Sequence, residues 1–209
     1  MRIFLFILLT ALFAACSPSI FKAKWTTEKA PQIFSARFET TKGVFDIEVK
    51  REWSPLAVDR LYALLKHHFF DNALFYRGVS NFVVQFGSSD TVKIVDWNKY
   101  VIPDEKVVYG NYKGSISFAR AGKDTRGTEL FINLKNNLSL DTTNYGGVKG
   151  FPAFGNVTRG MDVVDSIYTG YGDKTMDILD TLYQNRTRFL AIFPKLDSIT
   201  RAYIIKSGS

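Results

Sequence analysis

One arginine in an apolar neighbourhood is the residue of this sequence best placed to do chemistry. Arg77 lies within residues 75–87, which are rich in aromatic and β-branched side chains. The Gly-Lys pair at 122–123 lacks the upstream glycine and the following Ser or Thr of a phosphate-binding loop. The sequence has no Gly-x-Ser-x-Gly elbow whose serine could work with the histidines at 67–68, and no metal-ligand spacing surrounds these histidines. The sequence therefore disfavours nucleophilic, metal and phosphate chemistry and leaves a cation beside apolar surface.

The composition is that of a folded protein. The 209 residues are 46% hydrophobic, 15% aromatic and 22% charged, which excludes a disordered, collagen-like or polytopic membrane protein. The length fits one large domain or two small ones. The single cysteine excludes a disulfide framework. The formal net charge of +7 permits an acidic partner but does not identify one.

The first 15 residues have the pattern of a secretory signal. Arg2 gives a basic start, and the apolar run at residues 3–15 is shorter than the ~20 residues of a membrane-spanning helix. Two alanines then precede Cys16, an ending that resembles the lipobox of bacterial lipoproteins. The resemblance implies lipidation of Cys16 and a bacterial protein that is exported and anchored to the cell envelope, on the periplasmic side or at the outer membrane. The alternative is an ordinary signal peptide with an incidental cysteine.

The signal is predicted to be followed by a lipid-anchored tether at residues 16–32 and by one domain at residues 33–206. The tether contains two prolines and no apolar period. Two alternating runs on either side of residues 41–43 predict a hairpin. Ser54 followed by Pro55 is typical of a helix start, and the apolar spacing continues to Leu65.

Short apolar runs dominate the rest of the domain and predict strands. These runs are residues 74–76, 82–86, 115–119, 130–134, 153–157 and 202–205. A second helix is predicted from Met161 up to Gly170. Many short strands with only two helices indicate a mostly β protein, either a barrel or a sandwich.

Five sequence blocks, in this order, resemble the signature blocks of cyclophilin-type peptidyl-prolyl isomerases. The blocks are residues 75–87, 114–122, 127–133, 140–141 and 150–157. The resemblance extends over most of the chain after the tether. Residues 85–87 and 150–155, together with a Phe-Pro-x-Leu-Asp segment at 193–197, resemble a bacterial subgroup of this family.

The resemblance implies a closed eight-stranded antiparallel barrel capped by two helices, with a substrate groove on its outer face. It implies catalytic roles for Arg77, Phe82, Gln85 and Phe131. It implies substrate contacts from Val83, Ala119, Arg120, Glu129, Leu140 and Phe151. Neither a cofactor nor a metal is implied. Without the ordered blocks, the phenylalanines would be interpreted as core residues and Arg77 as a surface cation.

The chemistry of prolyl isomerisation suits this set of residues. Rotation of an X–Pro bond has a barrier of ~18–20 kcal/mol, and no bond is made or broken. The twisted amide loses its resonance, so that the prolyl nitrogen becomes a better hydrogen-bond acceptor. A guanidinium aimed at that nitrogen therefore binds the transition state more strongly than the ground state. An apolar pocket holds the pyrrolidine ring by burial, at ~25 cal/mol per Å².

Four features depart from the family pattern, namely Glu129, Tyr76, Ser139 and the loop at residues 144–149. Glu129 stands where the family usually has Gln, and we expect its carboxylate to pair with Arg77 or Arg120. Tyr76 replaces a frequent His, with little expected effect. Residues 144–149 resemble an added Gly-rich loop near the groove, in a position to affect specificity.

Cyclosporin is expected to inhibit this protein poorly. Ser139 occupies the position where many eukaryotic members carry the Trp that is tied to tight cyclosporin binding. The measurement is an inhibition curve on the purified protein, and nanomolar inhibition would contradict the prediction.

The sequence supports two functions. The first is an isomerase that acts on X–Pro bonds of exported or envelope proteins, with proline-containing polypeptides as partners and a monomer as the expected state. The second is a non-catalytic proline-peptide-binding or chaperone module on the same fold, which Glu129 favours and Arg77 with Gln85 disfavours. The export signal argues against nucleic acid as a partner.

Overall fold

The computed structural model describes residues 21–88 and 91–207. Its strands are β1 (Ile33–Thr40), β2 (Gly43–Lys50), β3 (Arg77–Val79), β4 (Val83–Phe86), β5 (Ser115–Phe118), β6 (Leu130–Asn133), β7 (Asn144–Tyr145), β8 (Val148–Lys149), β9 (Ala153–Arg159) and β10 (Ile199–Ser207). Its α-helices are α1 (Pro55–Lys66), α2 (Thr91–Asn98), α3 (Met161–Asp165), α4 (Leu179–Gln184) and α5 (Arg186–Ile192). Short 3-10 helices are formed by Ala23–Thr27, Leu138–Asp141 and Met176–Ile178. None of the helices in these two ranges is long and apolar enough to cross a membrane.

The predicted hairpin is confirmed and forms one side of the main sheet. Strands β1 and β2 pair antiparallel from Ile33 opposite Lys50 to Thr40 opposite Gly43. Their alternation turns Phe38 and Phe45 inward as a directly opposed pair, and the two rings stack at 4.9 Å between centroids. Cross-strand aromatic pairs of this kind fix the register of a hairpin.

Eight of the strands form one antiparallel sheet in the order β10-β1-β2-β9-β5-β6-β4-β3, so that the predicted closed barrel is wrong and the sheet is an open half-barrel. Strands β3 and β10 are its two edges. Among the described residues, single bridges lie along the opening: Leu74 bridges Ser198, and Gly78 of β3 bridges Gly172. At Gly172, the chain between α3 and β10 thus lies beside the edge of β3.

The sequence correctly located α1 and the start of α3 but missed three helices. Helix α1 begins at Pro55 as predicted, whereas α3 ends at Asp165, short of Gly170. Helices α2, α4 and α5 contain only six to eight residues each. Such short segments give weak periodicity. The two-helix cap is therefore replaced by five α-helices within the described residues.

The core contains a group of phenylalanine rings enclosed by the sheet and α1. Phe38, Phe70 and Phe75 each pack within about 6 Å of the ring of Phe86, on strand β4. All four side chains are almost completely buried. Because inward and outward residues alternate along a strand, anchoring Phe86 in this group turns its neighbour Gln85 to the opposite face.

The segment predicted as a tether lies partly on the domain. Within residues 21–32, Trp25 stacks on His67 at 3.8 Å between centroids, and Phe21 packs against Trp97 at 5.3 Å. Residues in this range thus pack on the domain that was predicted to begin at residue 33. The predicted signal at residues 1–15, Cys16 and the first part of the tether lie outside the described residues.

Asp59 of α1 holds this N-terminal segment, and its replacement by Asn should release it. The carboxylate accepts hydrogen bonds from the Ala30 amide at 2.9 Å, from Lys29 at 3.0 Å and from Arg51 at 2.9 Å. Burial raises the pKa of Asp59, but these hydrogen bonds outweigh burial and leave the pKa below its ordinary value of 3.8. The stability from this carboxylate is therefore present above the unfolded-state pKa and is lost as the pH falls through the lowered one.

Amide hydrogen exchange at Ala30 measures this effect. At pH 6, Asp59→Asn should exchange Ala30 about tenfold faster than the wild type, because hydrogen bonds to charged groups contribute about 1.5–3 kcal/mol. The ratio should shrink towards one as the pH falls below 3.8 and through the lowered pKa of Asp59. Asp165→Asn, at an exposed ion pair with Lys113, is the control and should leave Ala30 unchanged. Equal exchange in wild type and Asp59→Asn at pH 6 would refute the anchoring role.

Candidate active site

A cavity of about 610 Å³ is lined by β3, β4 and β6 and by the segments that follow β5, β6 and α3. It contains all ten residues predicted for the site, namely Arg77, Phe82, Val83, Gln85, Ala119, Arg120, Glu129, Phe131, Leu140 and Phe151. These residues come from separate parts of the chain. The fold therefore brings together the residues that the sequence blocks singled out.

Strand register places the central three of these residues in a row. Arg77 of β3 lies opposite Gln85 of β4, and Gln85 lies opposite Phe131 of β6. Directly opposed side chains share one face of a sheet, and Phe86 points to the other face. A cation, an amide and an aromatic ring thus stand side by side on three neighbouring strands.

The apolar part of the cavity is aromatic. The rings of Phe131 and Phe151 meet edge to face at 6.0 Å between centroids, and Phe82, Val83 and Leu140 complete the lining. Phe131 is almost fully buried, whereas Phe82 and Phe151 are half-buried. A site of this size and composition suits a small apolar ring.

Buried asparagines hold the backbone of this wall. The Asn111 amide nitrogen donates to the Phe151 carbonyl at 2.7 Å and to Asp141 at 2.6 Å. The Asn137 amide donates to the Phe82 carbonyl at 2.8 Å. Sequence reasoning missed both, because an asparagine between strands looks like a turn residue until its burial is known.

Arg77 is held by two acceptors. Its Nη1 donates to Gln85 Oε1 at 3.1 Å, and its Nε donates to Asp173 Oδ1 at 2.6 Å. The guanidinium carbon lies 6.0 Å from the centre of the Phe82 ring. Asp173 was not predicted, because residues 171–178 carry no recognisable motif.

Glu129 does not take the predicted partners among the described residues. Its Oε1 accepts the hydroxyls of Ser88 at 3.0 Å and Tyr183 at 3.2 Å, and Tyr76 also hydrogen-bonds it. The expectation that Glu129 pairs with Arg77 or Arg120 is therefore wrong. Burial, followed by the nearby charge of Glu129, raises the pKa of Tyr76 and Tyr183 well above the ordinary tyrosine value, and both hydroxyls remain protonated donors.

The Arg120 side chain binds other residues of the protein. Its fully buried side chain donates to the carbonyls of Gly150 at 2.6 Å and Val148 at 2.9 Å, and its guanidinium stacks 4.1 Å from the Phe151 ring centre. Burial lowers the pKa of this guanidinium. The side chain thus fixes the β7–β8 hairpin and Phe151. The backbone of Arg120 remains available for the predicted substrate contact.

Six further residues line the cavity: Ala121, Thr143, Tyr145, Asp173, Met176 and Asp177. Tyr145 belongs to the β7–β8 hairpin, which confirms that the Gly-rich loop at 144–149 adjoins the groove. Its ring lies 6.1 Å from that of Phe151. In the described ranges, no group of three or more His, Cys, Asp and Glu side chains is placed to hold a metal ion.

The chain thus forms an open antiparallel half-barrel with an arginine held at the wall of a cavity that aromatic rings help to line. The family model for cyclophilin type peptidyl-prolyl cis-trans isomerases matches residues 35–184. The chain belongs to this family. The prediction of an isomerase of this class is confirmed at the level of the family.

Curated relatives agree with this assignment. A peptidyl-prolyl cis-trans isomerase of Acinetobacter baylyi is 28% identical over 62% of this chain and 69% of its own length. The isomerase CYP18-2 of Arabidopsis thaliana is 30% identical over 66% of this chain and 82% of its own length. The chain spans only 25% of the length of a third relative, from Rhizopus delemar, to which it is 28% identical.

Solved structures share the fold. The cyclophilin type isomerase of Cryptosporidium parvum superimposes with a TM-score of 0.61 at 17% identity, over 84% of this chain and 99% of that one. A second structure of that protein, solved in the presence of the dipeptide Ala-Pro, gives a TM-score of 0.60 at 18% identity, over 83% and 99% of the two chains.

Proposed function

We propose that this protein accelerates cis-trans isomerisation of X–Pro bonds in exported or envelope proteins, with Arg77 stabilising the twisted amide. One observation carries the proposal. The guanidinium of Arg77 is fixed by Gln85 and Asp173 at the wall of a cavity whose other walls are aromatic. This combination supplies both requirements of the reaction, a grip on the pyrrolidine ring and a donor for the prolyl nitrogen.

The geometry leaves Arg77 able to donate to a substrate. A guanidinium carries five N–H donors in a planar fork, and the bonds to Gln85 and Asp173 use two of them. The remaining donors are held in a fixed direction, which reduces the reorganisation needed when the amide twists. Phe82, Phe131 and Phe151 would then contact the proline ring, and Gln85 the peptide backbone.

Exchange spectroscopy on an Ala-Pro peptide tests the activity. NMR measures the exchange between cis and trans resonances with and without the purified protein. Because unassisted isomerisation takes tens to hundreds of seconds, catalysis brings exchange into the range of the experiment. A folded protein that leaves the exchange rate unchanged would contradict the proposal.

A non-catalytic proline-binding module is the second candidate, and the Asp173 ion pair favours it. The 2.6 Å contact to Nε neutralises part of the charge of Arg77 and weakens its donation to an amide nitrogen. The same titration separates the two candidates. A binding module shifts peptide resonances without accelerating exchange, whereas an isomerase does both.

We propose further that the chain is an exported bacterial protein, monomeric and anchored by lipid at Cys16. The support is the short apolar leader and the two alanines before that cysteine. In a bacterial host, the wild type should sediment with membranes, and Cys16→Ser should move most of it into the soluble fraction. Equal membrane association of both would contradict lipidation.

A further inference from the structure

We infer that the chain segment at residues 171–193, here called the α4–α5 segment, positions Arg77 through Tyr183 on one side and Asp173 on the other. This inference rests on the proposed function, since it concerns how the same arginine is aimed. It gives a positioning role to a segment that carries no sequence motif linked to the site.

The α4–α5 segment packs on the residues that precede Arg77. Leu182 and Phe189 of this segment form a small second core with Leu74 and Tyr76. Gly172 also bridges Gly78, the residue after Arg77. The short edge strand β3 is therefore supported from both ends by the same segment. An edge strand of three residues has few ladder bonds of its own, so this support fixes its position.

A hydrogen-bond chain runs from the α4–α5 segment to the guanidinium. Tyr183 donates to Glu129 at 3.2 Å, and buried Tyr76 hydrogen-bonds the same carboxylate. The Gln85 amide nitrogen donates to the Tyr76 hydroxyl, and the Gln85 carbonyl oxygen accepts from Arg77 at 3.1 Å.

The chemistry of these groups fixes the direction of every bond in the chain. A tyrosine hydroxyl has one hydrogen to donate, and the Tyr76 hydroxyl already accepts from the Gln85 amide nitrogen, so it donates its own hydrogen to Glu129. Gln85 must then present its oxygen, and not its NH2 group, to Arg77. Arg77 only donates and requires the same orientation of Gln85. Glu129, as the acceptor for Tyr76, supports that orientation, and Tyr183 holds Glu129 in place.

Asp173 completes the arrangement from the exposed side. Its contact to Nε lies across the guanidinium from the Gln85 contact to Nη1. Two acceptors on different nitrogens fix both the position and the plane of the guanidinium. Tyr76, Tyr183 and Asp173 are positioning residues, because they act on the substrate only through Arg77.

Two readouts test this role on Tyr183→Phe, which keeps the ring and removes the hydroxyl. The first is the rotation rate of the Arg77 guanidinium about Nε–Cζ, measured by NMR without peptide and assigned with Arg77→Lys. The second is peptide exchange at saturation, together with the peptide dissociation constant. In Tyr183→Phe the Arg77 guanidinium should rotate faster. The peptide exchange rate should fall about threefold to tenfold, which corresponds to the loss of one hydrogen bond. The peptide dissociation constant should stay unchanged.

Tyr171→Phe is the matched control. Its hydroxyl accepts the amide of Lys195, two residues beyond this segment, at 3.2 Å and is no part of the chain to Glu129. It should leave both readouts unchanged. Equal losses in the two variants, or a lower exchange rate in Tyr183→Phe with unaltered Arg77 rotation, would overturn the inference.

A surface variant keeps the test independent of folding effects. Asp173 is exposed, so Asp173→Ala should fold normally, release Nε and speed guanidinium rotation; wild-type rotation in this variant would overturn the inference. If the wild type fails to accelerate exchange, the proposed function fails. The rotation measurements still decide whether the α4–α5 segment orients Arg77.

Discussion

Arg77→Ala should lower kcat/KM for an Ala-Pro peptide by about a hundredfold or more. Removal of one preorganised donor from a reacting centre costs about 10²–10³ in rate. Arg77 is anchored by Gln85 and Asp173 beside an aromatic cavity, which is the geometry in which a donor acts without prior reorganisation. The variant should still bind peptide, because the walls formed by Phe131 and Phe151 remain.

Arg77→Lys is the informative companion to this variant. Lysine retains the positive charge but presents it as a point on a flexible stem, without the planar fork that contacts Gln85 and Asp173 together. Its kcat/KM should stay close to that of Arg77→Ala if fixed geometry matters, and near that of the wild type if charge alone suffices. Circular dichroism confirms that both variants fold. An Arg77→Ala protein with activity within threefold of the wild type would remove Arg77 from the mechanism.

The residues of the cavity could be predicted from the sequence because they lie in short blocks of fixed order. Once strands β3, β4 and β6 pair, Arg77, Gln85 and Phe131 must form one row. The family resemblance therefore selected these positions, which the local pattern alone would have assigned to the core or the surface.

The partners of these residues could not be predicted, because they depend on tertiary packing. Tyr183 and Asp173 lie in short elements without periodicity, far along the chain from Glu129 and Arg77. The sequence suggested that Glu129 pairs with Arg77 or Arg120, yet the fold places the hydroxyls of Tyr76 and Tyr183 at this carboxylate. The α4–α5 segment also lies beside the edge of β3, at the opening of the half-barrel.

In helix α1, too, the sequence predicted the local structure but not the partner, which lies far along the chain. Its start at Pro55 was correctly predicted, and Ser54 occupies the N-cap position without a side-chain capping bond of its own. Its hydroxyl donates instead to Glu105, whose carboxylate also accepts the amide of Leu56 at 2.9 Å. A carboxylate from a distant loop thus satisfies the free N–H groups that every helix start exposes.

Glu105→Ala is consequently expected to lower the free energy of unfolding by about 3–5 kcal/mol. Besides capping α1, Glu105 pairs with Arg126 at 3.0 Å, and the side chain of Arg126 is completely buried. Removal of the carboxylate takes away the nearer acidic partner of a buried guanidinium and leaves the amides of Leu56 and Ala57 without this acceptor. Urea denaturation followed by circular dichroism measures the loss.

Two further variants identify the cause of that loss. Glu105→Gln keeps an acceptor oxygen for the helix start but removes the charge, so its loss should lie between those of the wild type and Glu105→Ala. Glu52→Ala, on the exposed approach to the same helix, should change the free energy of unfolding by less than about 0.5 kcal/mol. A loss below about 1 kcal/mol in Glu105→Ala would mean that Arg126 finds another acceptor, for example Asp104, whose Oδ1 lies 3.8 Å from Arg126 Nε.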